Sequence, residues 1–342
     1  MKILLFADLH MCPKASIINK WGVKYPSRLE NCIESVNWLE DLAVKNGCDY
    51  VINLGDFFDK PDLSSETITA CKDINWSNIP HYSIVGNHDA SSSSLIFNSA
   101  NIFAGGNHTM VTEPEIIKLE NCDVCLLPYV VECDRKPLDE YFKARRPGVP
   151  CVMLSHNDIR GIQLGPVVSK TGFSLEEIEA NCDLFINGHL HNGQAITPKI
   201  INLGNITGKD FGEDAAKHSH TAAILDTDTL AINFIENPYA YNFYKVSIVN
   251  ESDIESLLNL KPRSVVSIKC ESTLVEKTKS VLAENESIIE SRIIMTKIYS
   301  DESSSSSDID FSVDHLARFI ECCKANIEDT ALLDEEISEV CK

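Results

Sequence analysis

Nowhere in the 342 residues does an apolar run approach the ~18 residues that a membrane-spanning helix needs, so no transmembrane span is expected. The opening stretch MKILLFADLH is apolar for only a few residues and already holds an acid and a histidine. It reads as a first buried strand rather than a secretion signal. Basic residues are scarce: 30 Lys and Arg stand against 51 Asp and Glu, a formal net charge of −21. A free-standing nucleic-acid binder usually presents a basic face, and that signal is missing. Part of the excess is local, with twelve acids and three bases between Asp301 and Lys342. Metal ligands inflate an acid count too, because bound cations neutralise them. Regular cysteine spacing is absent. The thirteen cysteines are scattered, which fits reduced thiols in the cytoplasm better than a disulfide framework. The one C-x-x-C considered, Cys122 to Cys125, lies inside an expected strand with no second pair nearby, and is weak ground for zinc or redox chemistry.

What the sequence does have is a repeated alternation of strand-length apolar runs and amphipathic stretches. ILLFAD is the first expected strand. In PSRLENCIESVNWLEDLAVKNG, Leu29, Ile33, Val36, Leu39 and Leu42 share one helical face. Ser27 and Glu30 have capping-box spacing, and Gly47 is a natural stop. YVINLGD, a helix near Glu66 to Ile74 and HYSIVG continue a β-α-β pattern that argues for parallel strands. Further strands are expected at DVCLLPY, CVMLSH, LFINGH, KIINLG, TAAILD and AINFIE, with Ser174 and Glu177 opening the helix before LFINGH. Residues 1–237 are thus expected to form one α/β domain of two sheets flanked by helices. Residues 243–299 suggest a small β-α-β-β unit. Residues 300–310, with the serine tract, read as an acidic linker. Residues 311–342 place Val313, Leu316, Phe319 or Ile320, Cys323 and Ile327 on one helical face, which either folds back on its own domain or docks on a partner.

Each early strand ends in a polar cluster: Asp8-Leu9-His10, then Gly55-Asp56-Phe57-Phe58-Asp59, then Gly86-Asn87-His88-Asp89. Later come Ser155-His156 and Gly188-His189-Leu190-His191. Ligands of α/β sheets gather at the carboxyl ends of strands, so the five clusters are expected to converge. A lone histidine beside a strand is ordinarily a satisfied surface or core residue, but five such clusters in this order are not an accident of composition. Carboxylate, imidazole and carboxamide together suit two divalent cations of the manganese, iron or zinc type better than calcium, and one aspartate can bridge them.

This order of motifs resembles the calcineurin-like metallophosphoesterase superfamily, which implies a two-sheet αββα sandwich and phosphoester hydrolysis by in-line attack of an activated hydroxide. Carried over, Asp8, His10, Asp56 and His191 would hold one metal, and Asp56, Asn87, His156 and His189 the other, with Asp56 as the bridge. His88 would then assist the leaving oxygen. Asp89 would orient His88 or simply cap the loop; Asp59 would support the site or cap its own loop. GDFFDKP and GNHD depart from the GDxxDRG and GNHE of phosphoprotein phosphatases. The layout, with GDFFD, IVGNHD, GHLH and FIENP followed by a small capping domain, resembles the SbcD-type nuclease subunit of double-strand-break repair, in its phage form. The first motif lacks the usual Trp between Asp8 and His10, and Gly204-Asn205-Ile206 stands where Gly-Ser/Thr-Pro is usual.

The resemblance implies a DNA exonuclease and endonuclease working with two Mn²⁺ ions in a bacterial or phage-infected cytoplasm. Its partners would be DNA, an SbcC-like coiled-coil ATPase bound through the C-terminal helices, and a second copy of the chain. A stand-alone phosphodiesterase or phosphatase for small molecules is the alternative, and a non-catalytic scaffold a third. Of the other histidines, His81 is expected at the surface, His108 imitates a motif without its context, and His218 and His220 are expected on a solvated loop.

Overall fold

The computed structural model describes residues 1–92, 94–164 and 167–296. The expected linker and C-terminal helical segment, 300–342, lie outside the described residues. Two six-stranded mixed sheets pack face to face, as the two-sheet reading required. The first runs in the order Ile232–Glu236, Thr221–Asp226, Lys2–Phe6, Tyr50–Asn53, His81–Ile84, His108–Val111, and its last four strands are parallel. The second runs Gln194–Ala195, Ile200–Asn202, Leu184–Asn187, Cys151–Ser155, Asp123–Leu127, Glu115–Lys118, with four parallel strands at its centre.

The alternation of side chains along each strand explains the layering. Ile3, Leu5, Ile52, Leu54 and Ile84 of the first sheet meet Val124, Leu126, Val152, Leu154 and Ile186 of the second. Leu4, Phe6 and Val51 point the other way, onto Leu29, Cys32, Val36, Leu39 and Ala43 of the helix Ser27–Asn46. Because both faces are covered, these strands are apolar throughout rather than alternating. The same alternation separates Cys122 from Cys125: one joins the inter-sheet core and the other the outer cluster around Phe173 and Phe185. Being on opposite faces, they do not form one chelating pair.

The helix Ser27–Asn46 ends as expected at Gly47, in the left-handed region at φ 62°, but its start differs. Ser27 is already helical and its hydroxyl donates to the Lys20 carbonyl at 3.0 Å, while Glu30 accepts the amides of Lys24 and Tyr25. The acid closes the preceding loop instead of a capping box. Ser174 does cap its helix, Leu175–Asn181, by accepting the Glu177 amide at 3.2 Å.

Beyond Asn237 a three-stranded sheet, Asn242–Ile248, Ser264–Glu271 and Ile288–Thr296, is parallel throughout. The helix Val275–Glu284 joins its last two strands, and a 3₁₀ segment, Glu251–Leu257, lies between its first two. This β-β-α-β order replaces the expected β-α-β-β. Phe243 and Val265 of the small sheet pack with Ala15, Ile18, Phe211 and Tyr241. Among the described residues no helix is long and apolar enough to cross a membrane.

Candidate metal centre

The parallel strands of both sheets bring their carboxyl ends to one edge, and all five polar clusters meet there. Three hydrogen bonds stitch the first two turns together: Asp8 N–H to Gly55 O at 3.0 Å, His10 N–H to Asp56 O at 3.0 Å and Met11 N–H to Phe57 O at 2.8 Å. Two more cross between the sheets. The Asp8 carboxylate accepts the His189 amide at 3.0 Å, and His156 Nδ1–H donates to the Leu54 carbonyl at 2.7 Å. The glycines before these residues are needed for clearance. A Cβ on Gly55, itself at φ 107°, would lie 2.3 Å from His156 Nδ1, and one on Gly86 would lie 2.1 Å from Asp56 Oδ1.

Four of the expected ligands hold a backbone conformation that L-residues avoid: Asp8 at φ 53°, His10 at 46°, Asp56 at 53° and His189 at 76°. Each costs on the order of 1–2 kcal/mol. Strain concentrated on the chemistry-bearing residues, and supported by the bonds just named, marks a built site.

Inside this frame the donor atoms converge. His10 Nε2 lies 2.9 Å from His191 Nε2 and 3.7 Å from Asp56 Oδ2. His156 Nε2 lies 3.2 Å from Asp56 Oδ2 and 3.2 Å from Asn87 Oδ1, and His189 Nδ1 lies 3.0 Å from the same oxygen. Three groups have ligand atoms within 4.8 Å of one another: Asp8 with His10 and His191, Asp56 with His156 and His189, and His10 with Asp56 and His88. Inward-facing lone pairs of imidazole, carboxylate and carboxamide fit divalent cations of intermediate softness, and Asp56 belongs to two of the three groups.

The outer nitrogen of each ring has its own partner, which fixes the tautomer that turns a lone pair inward. His191 Nδ1–H donates to Glu213 at 3.1 Å, His189 Nε2–H to Asp158 at 3.2 Å and His156 to Leu54 O. His10 Nδ1 lies 3.5 Å from Asp59 Oδ1, and Lys209 forms an ion pair with that carboxylate. Glu213, Asp158 and Lys209 were not among the expected site residues. Nothing short-range marks them; each reaches its histidine only through the fold.

Electrostatics follow the geometry. Burial would raise the Asp56 carboxyl, but the charge and hydrogen bond of His156 hold it well below the usual range. Burial likewise opposes ionisation of Asp59, and His10 and Lys209 pull it down. His156 would be lowered by burial, and the carboxylate of Asp56 carries it up to about 9. Asp89 differs. Fully buried, it accepts the amides of Phe58 at 3.0 Å and Gly86 at 3.1 Å, which is the loop-capping role. Burial and the charge of Asp56 push it up to about 7. His88 donates Nδ1–H to the Asp59 carbonyl at 2.9 Å and keeps a side chain 40% exposed.

Two expectations for peripheral histidines are corrected. His81 is 4% exposed, with Nε2 2.8 Å from Glu40, and His220 is 5% exposed, with Nδ1 2.7 Å from Asn205 O. Neither is a solvated residue.

A model of the calcineurin-like phosphoesterase family matches residues 1–193. No curated protein matches the chain. Solved structures similar to it include an archaeal phosphodiesterase at 16% identity, covering 69% of this chain and 99% of that one, TM-score 0.36. TT1561 of Thermus thermophilus is 12% identical over 69% and 98% of the two chains, TM-score 0.41. A dimetal phosphatase from Danio rerio is 13% identical over 69% and 98%, TM-score 0.40.

Proposed function

The chain belongs to the calcineurin-like phosphoesterase family, and on that premise we propose that it is a manganese-dependent nuclease subunit of the SbcD type. Its reaction is hydrolysis of DNA phosphodiester bonds during end processing, recombination and repair. One observation carries the reading. The converged strand ends open onto a groove of about 610 Å³ that runs from His189 and His191 past Gln194 to Lys217, His218 and Lys245. The last of these stands on the small sheet that follows FIENP. A lone phosphate would not need such a groove; Lys245 offers a polyanionic backbone one cation, and Lys217 offers a second in exchange for its ion pair with Asp214 at 2.9 Å.

Asp8, His10, Asp56 and His191 would hold one cation, and Asp56, Asn87, His156 and His189 the other. When bound, the pair supplies Lewis-acid stabilisation of the phosphoryl oxygens and an activated water. The rest falls to the chain. Asp158 and Glu213 fix the imidazole tautomers of His189 and His191. His88 has its Nδ1–H committed to Asp59 O, so Nε2 is the atom that, in the imidazolium form, would give its proton to the leaving oxygen and return the ring to neutral, at a ring exposed enough to be reached. Asp89 holds the turn that delivers Asn87 and His88.

With a net charge of −21, the subunit leaves most DNA binding to a partner, an SbcC-like coiled-coil ATPase that takes residues 311–342, and it acts as a homodimer in the cytoplasm of a bacterial or phage-infected cell. The test is a side-by-side assay with Mn²⁺ on DNA ends, nucleotides and an aryl phosphodiester, with and without an SbcC-like ATPase. Cleavage of DNA ends is expected. Turnover of nucleotide esters with no DNA cleavage under either condition would leave the small-molecule phosphodiesterase reading in its place.

A further inference from the structure

The helix Ser27–Asn46 buries a guanidinium completely. Arg28 is 0% exposed, and among the described residues it has no carboxylate within ion-pair distance. A buried cation without a counter-charge is costly, so its hydrogen bonds should show what it is for. Nη2 donates to Leu9 O at 2.8 Å, to His10 O at 3.4 Å and to Thr207 Oγ1 at 2.8 Å. Nη1 donates to Gly208 O at 2.9 Å and to Asn31 Oδ1 at 2.8 Å. The Thr207 hydroxyl in turn donates to Leu9 O at 3.1 Å. One planar fork therefore ties two carbonyls of the Asp8-Leu9-His10 turn to the loop that leads through Lys209 to Glu213. A lysine, with a single point of attachment, does not span that arrangement.

The turn it grips is strained at two residues, with both Asp8 and His10 in the left-handed region. Were this turn to relax to ordinary backbone, the Asp8 carboxylate and the His10 ring would swing away from His191. No hydrogen bond runs from Arg28 to the turns that carry Asn87, His156 or His189. We propose that Arg28 is a positioning residue for the first cation site: it holds the Asp8-Leu9-His10 turn in its ligand-presenting form and registers that turn against the Glu213 loop behind His191. The inference rests on the dinuclear reading of the site, but not on DNA as the substrate.

The test uses the full-length chain and Mn²⁺ alone, titrated calorimetrically and followed by electron paramagnetic resonance, on Arg28→Lys and Arg28→Met. His191→Ala and His156→Ala serve as references that label the two binding steps. The step lost in His191→Ala should weaken about 10–100-fold in the Arg28 variants, while the step lost in His156→Ala moves less than about 3-fold. Amide exchange at Leu9–Met11 should rise without a rise at Asn87–Asp89. Equal weakening of both steps, or of neither, overturns the positioning role. Fewer than two ions bound by the unaltered chain refutes the dinuclear reading instead. If both Arg28 variants fail to fold, Thr207→Val, which removes the hydroxyl between Arg28 and Leu9, must show the same selective weakening at smaller size; no selectivity there overturns the proposal.

Discussion

The strand His81–Ile84 begins with one histidine and is followed, past its end, by another, and the two ends use imidazole in opposite ways. At the start, the His81 ring lies flat on His108 with centroids 4.3 Å apart and 7° between planes, and Trp76 meets His108 edge-on at 4.6 Å. His81 Nε2 faces Glu40 at 2.8 Å, and Asn107 lies 3.5 Å from Nδ1. Both nitrogens of His81 are directed outward from the stack and already have neighbours, so the cluster works as core. Past the other end, the rings of His10, His156, His189 and His191 are turned so that one nitrogen of each faces inward among Asp8, Asp56 and Asn87, while the other is held from behind. Histidine content does not separate the regions. The direction of the lone pairs does.

The largest test of that contrast is at the acid shared by both ligand groups. Asp56→Asn replaces a carboxylate that can bridge two cations with a carboxamide that cannot. Both bound cations should be lost together and phosphodiesterase activity should fall by more than about 10³-fold. Metal analysis of the purified variant checks the first half, and retention of two tightly held ions would remove Asp56 from the bridging position.

Next in size is His88, which stands beside the same cage with its Nδ1 already committed. His88→Ser should keep two bound ions and lose about 10²–10⁴-fold in kcat, the range of a general acid. Loss of an ion from this variant would move His88 into the ligand set, in line with its place in the third group with His10 and Asp56.

These two residues were legible in the sequence because each motif is local: a strand end, a glycine for clearance, then the ligand. So was the two-sheet core, whose strands are apolar on both faces. The outer partners were not. Glu213 lies 22 residues from His191 and Asp158 lies 31 from His189, and no periodicity links them. Arg28 sits in the first turn of an amphipathic helix, where an arginine ordinarily faces solvent. His81 stands at the very start of its strand, which suggested a surface position, yet Glu40 on the helix Ser27–Asn46 pairs with it. The strands His108–Val111 and Glu115–Lys118 also escaped notice, since HTMV and EIIK are short, partly exposed and weakly patterned. In every case the missing information was a long-range contact.

On the core side of the comparison, His81→Leu removes the ring that pairs with a buried carboxylate and leaves Glu40 with only the Ser77 amide at 3.0 Å. A loss of about 2–4 kcal/mol in unfolding free energy is expected, read from urea midpoints, with Mn²⁺ stoichiometry unchanged. A change in metal content here would mean that the two ends of the strand are coupled after all.

The smallest effect concerns His108. Burial and the neighbouring His81 push its ring down to about 4, against the partial compensation of Glu40. In the unfolded chain the same ring titrates near 6.5. Between those values the unfolded state binds a proton that the folded state refuses, so stability is fully present above about 6.5 and is lost as pH falls toward 4. The ring is half-buried, and solvent screening reduces the contribution to about 1–2 kcal/mol. Glu40 acts in a lower window: its folded carboxyl lies below its ordinary value because the His81 bond outweighs burial, so its share is lost only below about 4.5. His108→Phe keeps an aromatic ring on His81 and Trp76 but removes the proton site. Its unfolding free energy should therefore be flatter than that of the unaltered chain from pH 6.5 to 5, with the two curves running parallel below 4. Superimposable slopes across the upper window would show that the stacked pair is silent to protons, and that packing alone distinguishes it from the cage at the other end.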